Sequence, residues 1–156
     1  MWPVRHGRVV RATPPAAALQ DVLKRARLRV LRWRQREGAE RFRERRRRED
    51  ESPRLASIVP KLRSLRFEIE ELRAGGSIET SHVRPIVVSR APALFFFPCH
   101  DSTCKEGGHD ITAEICNALR AGAERFEGED RCSGQTTNAD CGRILKYVAT
   151  ATYEPE

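Results

Sequence analysis

Two short stretches decide how this chain folds: PCHDSTCKEGGHD at residues 98–110 and RCSGQTTNADCGR at 131–143. The first spaces two cysteines as C-x4-C, Cys99 and Cys104. The second spaces two as C-x8-C, Cys132 and Cys141. Both pairs fall in segments rich in Gly, Asn, Asp and Ser, which read as loops. Sequence-close pairs of thiolates supply two donors each to a tetrahedral ion, because a tight loop can wrap its backbone around the metal. The four cysteines are therefore read as a structural Zn2+ clamp.

The elements around the loops support this convergence. Ile111, Ile115 and Leu119 repeat every four residues, which predicts a helix over 111–121 with Asp110 as its N-cap and Gly122 as its stop. Residues 124–131 read as a strand. Residues 143–154 alternate strictly, with Leu145, Tyr147, Ala149, Ala151 and Tyr153 on one face, and this is the clearest strand in the chain. The helix leads away from the first cysteine loop and the strand returns, so an antiparallel partner strand brings Cys132 and Cys141 to the end of the sheet where Cys99 lies.

On these four cysteines, the stretch from about Ala93 to Tyr153 resembles the broad zinc-ribbon or treble-clef type of module, in which two cysteine loops clamp one ion beside a β-hairpin. Neither pair here has the CxxC spacing usual in that type. Two alternatives stay open at this level: His109 replacing one cysteine as a ligand, or no metal at all. His109 otherwise reads as a loop histidine before the helix or as a partner of a thiolate. His100 is expected to be exposed, and Cys116, on the apolar helix face, to be a small buried hydrophobe.

Upstream, residues 55–72 mix two periods. The reading is a short helix to about Arg63, a strand from about Leu65 to Leu72, a turn at Gly75–Gly76, and a second strand around 82–89. Pro85 puts that second strand at an edge. Residues 93–97 are a continuous apolar run.

The N-terminal third differs in kind. Residues 1–50 hold 16 Arg and Lys against 6 Asp and Glu, and the remainder 13 against 16, so the overall +7 comes from the first fifty residues alone. Met1–Pro15 reads as a disordered basic tail. Residues 16–52 read as a helical arm whose Leu19, Leu23, Ala26, Val30 and Trp33 share one face, spaced four, three, four and three. Gly38 is expected to weaken this helix before the charged segment 41–50. The stripe is expected to pack on the domain downstream, on another copy or on a protein partner. The arm's arginines, Arg25, Arg27, Arg29, Arg32, Arg34, Arg36, Arg41, Arg43, Arg45, Arg46, Arg47 and Arg48, are candidates for nucleic-acid phosphate contact. The bland alternative is a solvated arm.

The fold class that follows is α+β: a long basic N-terminal helix, then a zinc-stabilised domain over 53–156 built of a small antiparallel sheet with one packed helix. Four cysteine ligands leave no open position for water, and there is no HExxH motif or phosphate-cradling loop, so an enzyme is not expected and a small metalloenzyme ranks third among the readings. The acidic run Glu124, Glu127, Glu129 and Asp130 reads as a solvated strand edge. No secretory signal or run of 18 apolar residues is visible, which suggests a cytoplasmic protein with reduced thiols and no membrane partner.

Overall fold

The computed structural model describes residues 16–155; the predicted tail Met1–Pro15 lies outside them. The class is α+β, and the chain divides into two compact units, one running up to Arg45 and one from Arg46 onward. Among the described residues, no helix is long and apolar enough to cross a membrane.

Helix α1 covers Ala16–Glu51, 36 residues, about 54 Å at 1.5 Å per residue. It passes Gly38 without a break. Arg, Leu, Glu and Ala dominate the sequence around that glycine, and their helix propensity outweighs a single-glycine cost of about 1 kcal/mol. The apolar stripe is exposed: Leu19, Leu23, Val30 and Trp33 each keep about half their surface in water (47–58%).

In the second unit, α1 ends where the Ser52 hydroxyl donates to the Arg48 carbonyl (2.6 Å) and Pro53 follows. Helix α2 is a single turn, Leu55–Ile58, not the longer helix expected to Arg63. Val59 precedes Pro60, and that position disfavours helical backbone; its φ/ψ of −130°/78° ends the turn. Strand β1 then starts at Leu62 and runs to Leu72.

Strand β2 is Ile78–Ile86, four residues earlier than expected at its start. The turn at Gly76, with φ +85°, reverses the chain at once, and the Arg73 amide bonds the Ser77 carbonyl at 2.9 Å. Strands β3, Phe96–Pro98, and β4, Gly108–Asp110, form a two-stranded ribbon, with β4 in the stretch expected to be loop. Helix α3 is Thr112–Arg120, β5 is Arg125–Arg131 and β6 is Ile144–Tyr153.

The sheet has the order β2-β1-β6-β5, antiparallel throughout. Pro85 sits in the edge strand β2, as its missing N–H requires. The core gathers Leu65, Phe67 and Ile69 of β1, Leu145, Tyr147, Ala149 and Ala151 of β6, and Ile111, Ile115 and Leu119 at and within α3. Phe67 packs on Phe95 (centroids 5.5 Å apart) and edge-on to Tyr147 (6.3 Å). Cys116 is buried in this core, as expected.

Asp110 acts one place earlier than a regular cap. Ile111 holds the N-cap position, and Asp110 Oδ1 accepts the Thr112 amide at 3.2 Å. Its other oxygen takes the Arg48 guanidinium at 2.8 Å, and Arg48 also lies 5.2 Å from the Phe96 ring centroid. Burial pushes the Asp110 carboxyl upward, but the bonds from Thr112 and the Arg48 charge outweigh it and hold the group below its ordinary value. A depressed carboxylate adds stability above its unfolded pKa and loses it as pH falls through the folded one. With both side chains more than a third exposed, Asp110→Asn should cost less than about 1 kcal/mol at neutral pH. In urea titrations, variant and parent should converge as pH falls below the ordinary carboxylate range.

Candidate metal centre and basic helix

The first cysteine loop leaves the ribbon strand β3 at Pro98 and is folded by its own short polar side chains. Asp101 Oδ1 accepts from both the Thr103 amide (2.8 Å) and its hydroxyl (2.7 Å). The Cys104 amide then donates to the Asp101 carbonyl at 3.1 Å, which turns Cys104 back toward Cys99. The second loop begins where β5 ends. The Cys132 amide donates to the Arg143 carbonyl at 2.9 Å, and the Cys141 amide to that of Gly134 at 3.0 Å. A reciprocal pair of backbone bonds between Lys105 and Gln135 (2.9 and 3.3 Å) ties the loops to each other.

The four sulfurs of Cys99, Cys104, Cys132 and Cys141 lie within 4.8 Å of one another. Two pairs join the loops: Cys99 to Cys141 at 3.6 Å and Cys104 to Cys132 at 3.7 Å. All are free thiols. Four sulfurs placed tetrahedrally 2.3 Å from a zinc ion would stand about 3.8 Å apart, so the spacing fits such an ion. The chain therefore positions four cysteines to bind a metal ion, and the set is compatible with zinc.

Backbone and burial prepare the sulfurs unequally. Amides two residues on point at two of them: Asp101 N–H at Cys99 Sγ and Gly134 N–H at Cys132 Sγ, both 3.4 Å. Burial pushes the Cys104 thiol up to about 12, with the neighbouring Cys132 and Cys141 adding to it, and moves Cys99 upward as well. At Cys132 burial acts in the same sense, but the Gly134 amide and the three other thiols outweigh it and lower its value. Cys132 is thus easier to ionise than Cys99 and Cys104. A divalent cation at the centre removes the mutual repulsion that opposes ionising the rest.

Two glycines make the approach possible. A Cβ on Gly107 would collide with Cys104 Sγ and stand 2.7 Å from Cys132 Sγ. A Cβ on Gly134 would collide with Cys104 Sγ and stand 2.8 Å from the Gly107 amide nitrogen. The loops are also braced from outside. His100 Nδ1 bonds the buried carboxylate of Glu71 in β1. Arg143, two residues after Cys141, pairs with Glu79 of β2 and lies 3.5 Å from Asp101 in the other loop.

His109 is not among the clustered donors. It is buried at 3% exposure, with Nδ1 3.1 Å from Asp130 Oδ2. The four-cysteine set is thus the one the fold assembles, with Cys116 apart from it in the core. Sequence reasoning missed Glu71, Arg143 and both cradle glycines. The Cys132-Ser133-Gly134 triplet was the available signal, since a glycine two residues after a ligand frees the N–H that faces its sulfur.

Along α1 the twelve candidate arginines divide into two sets. Arg41 pairs with Glu37 (3.8 Å), Arg46 with Glu49 (3.6 Å) and Arg47 with Glu51 (2.9 Å). Arg43 donates to the Ala39 carbonyl (3.3 Å), Arg45 lies 5.9 Å from the Phe42 ring centroid, and Arg48 is held by Asp110. Arg25, Arg27, Arg29, Arg32, Arg34 and Arg36 are exposed, in a segment, 22–36, that holds no acid. Arg25, Arg29, Arg32 and Arg36 are spaced four, three and four, so they form a ladder on one helix face.

Comparison with protein-family models, with curated proteins and with solved structures finds no match to this chain in any of the three.

Gly134→Ala and Gly107→Ala should each lower bound metal, measured by elemental analysis, and destabilise the fold by about 1–3 kcal/mol. Gly75→Ala, where a Cβ meets nothing within 4 Å, should leave both properties unchanged.

Proposed function

We propose that this chain is a zinc-stabilised, non-catalytic nucleic-acid-binding module, in which the metal holds the C-terminal fold and the arginine helix meets phosphate. The observation that carries the reading is the cluster of four sulfurs within 4.8 Å, three of them buried. A tetrahedral set of four thiolates suits zinc, and four occupied positions leave none open for water. The role is then structural, and a reducing compartment such as the cytoplasm keeps these thiols available. Zinc supplies its charge to the four thiolates; Gly107, Gly134 and the Asp101 amide orient them.

Contact with nucleic acid is supported by the helix. It carries a ladder of arginines along a face with no acid between residues 22 and 36. Guanidinium groups repeated along a rigid rod suit backbone phosphates and bind them without reading sequence. A second reading, docking of a protein on the stripe Leu19–Trp33, is favoured by the half-exposed leucines and Trp33, which phosphate binding does not require.

Elemental analysis of the purified full chain should find about one zinc per molecule. Duplex DNA or RNA should bind at low salt, with a log–log salt slope near −5 if about six arginines each neutralise a phosphate. Changing Arg25, Arg29, Arg32 and Arg36 together to Gln should reduce that slope by about 4. No retention on nucleic acid at low salt would remove the arm's role and leave the metal reading standing.

A further inference from the structure

The four-stranded sheet has one face in the core and one open. Cross-strand register puts Glu70, Lys146 and Glu129 in one row of the open face, and Val83, Glu68, Val148 and Glu127 in the next. Together they line a shallow groove of four carboxylates and one ammonium around two valines. Lys146 is 3.9 Å from Glu129, and Arg66, one row further on and separated from Arg125 by Thr150, is 3.8 Å from Glu68. Glu70 and Glu127 carry no ion pair among the described residues. Carboxylates two strands apart in one row are about 10 Å from each other, so they repel at low salt and are largely screened at physiological strength. Val83 adds an exposed apolar side chain (51%) to the same surface.

Helix α1 has the complementary pattern. Leu23, Ala26, Val30 and Trp33 form an apolar stripe, and the ladder Arg25, Arg29, Arg32 and Arg36 runs beside it. Two such helices pair poorly with each other. Arg27 and Arg34 flank the stripe on one side and Arg29 and Arg36 on the other, so a helix–helix seam would bring arginine against arginine. The groove at the middle of the open sheet face, two valines among four carboxylates and one ammonium, offers the opposite charge, with Arg66, Arg125 and Arg131 standing outside it on the same face.

We infer that α1 of one copy docks on the open, carboxylate-lined sheet face of a second copy. The contact is head-to-tail, so each copy offers one donor helix and one acceptor sheet, and salt weakens it. It does not depend on the nucleic-acid reading, although a polyanion would compete for the same arginines.

Sedimentation velocity of the full chain, without nucleic acid, tests the contact. Association should rise with protein concentration at low salt and weaken about tenfold or more when salt is raised to physiological strength and beyond. One variant carries Arg25→Glu, Arg29→Glu, Arg32→Glu and Arg36→Glu; the other carries Glu68→Lys, Glu127→Lys and Glu129→Lys. Each alone should be monomeric, and an equimolar mixture should associate again. Recovery on mixing separates a lost contact from a lost fold, and the milder pair Glu127→Gln with Glu129→Gln should weaken association in the same direction. The inference is overturned by a monomer under all these conditions, by association that survives either charge-swapped variant (a helix–helix seam or another surface), or by a mixture that stays monomeric.

Discussion

The two cysteine loops can bring their four sulfurs together only because Gly107 and Gly134 present hydrogen, and not carbon, to them. The Gly134 position would put a Cβ into Cys104 Sγ, and the Gly107 position would do the same from the opposite loop. The close approach lets the Lys105–Gln135 backbone pair form and aims the Gly134 amide at Cys132. The thiols are packed tightly enough that, without a cation, burial and mutual repulsion hold Cys99 and Cys104 protonated.

The metal end and the hydrophobic core brace different parts of the same sheet. β1 and β6 are its central strands and share the core with α3, while the cysteine loops hang from β3, β5 and the start of β6. The His100–Glu71 and Arg143–Glu79 contacts connect these loops to β1 and β2. Breaking the clamp therefore frees segments that enter two of the four sheet strands, β5 and β6, and the ribbon of β3 and β4. In a domain of modest size, a metal adds to a core that alone supplies only a few kcal/mol of net stability.

The parts of this fold that were legible in the sequence are those whose signal is local and repeated. The alternation through Leu145–Ala151 gave β6, the four-residue repeat Ile111–Leu119 gave α3, and the cysteine spacing pointed to the four sulfurs that cluster. Where the signal was absent, the reading slipped. β2 buries almost nothing, so nothing in its side chains marked its start, and only the Gly76 turn fixes it. The helix expected to Arg63 stopped at Ile58 because a residue before proline resists helical backbone, a constraint visible at Val59–Pro60 but outweighed by the apolar period around it. Strand β4 is three residues in a glycine-rich run, recognisable only once its partner Phe96–Pro98 is in place. Glu71 and Arg143 read as ordinary strand charges, since their partners are 29 and 64 residues away in sequence.

In the proposed site four cysteine sulfurs, and no histidine, hold one zinc ion. X-ray absorption at the zinc edge of the purified full chain measures this directly. A four-thiolate site should give a first shell of about four sulfur scatterers near 2.3 Å. A shell containing nitrogen near 2.0–2.1 Å, as His109 would contribute, or a chain purified without zinc and unable to take it up, would contradict it.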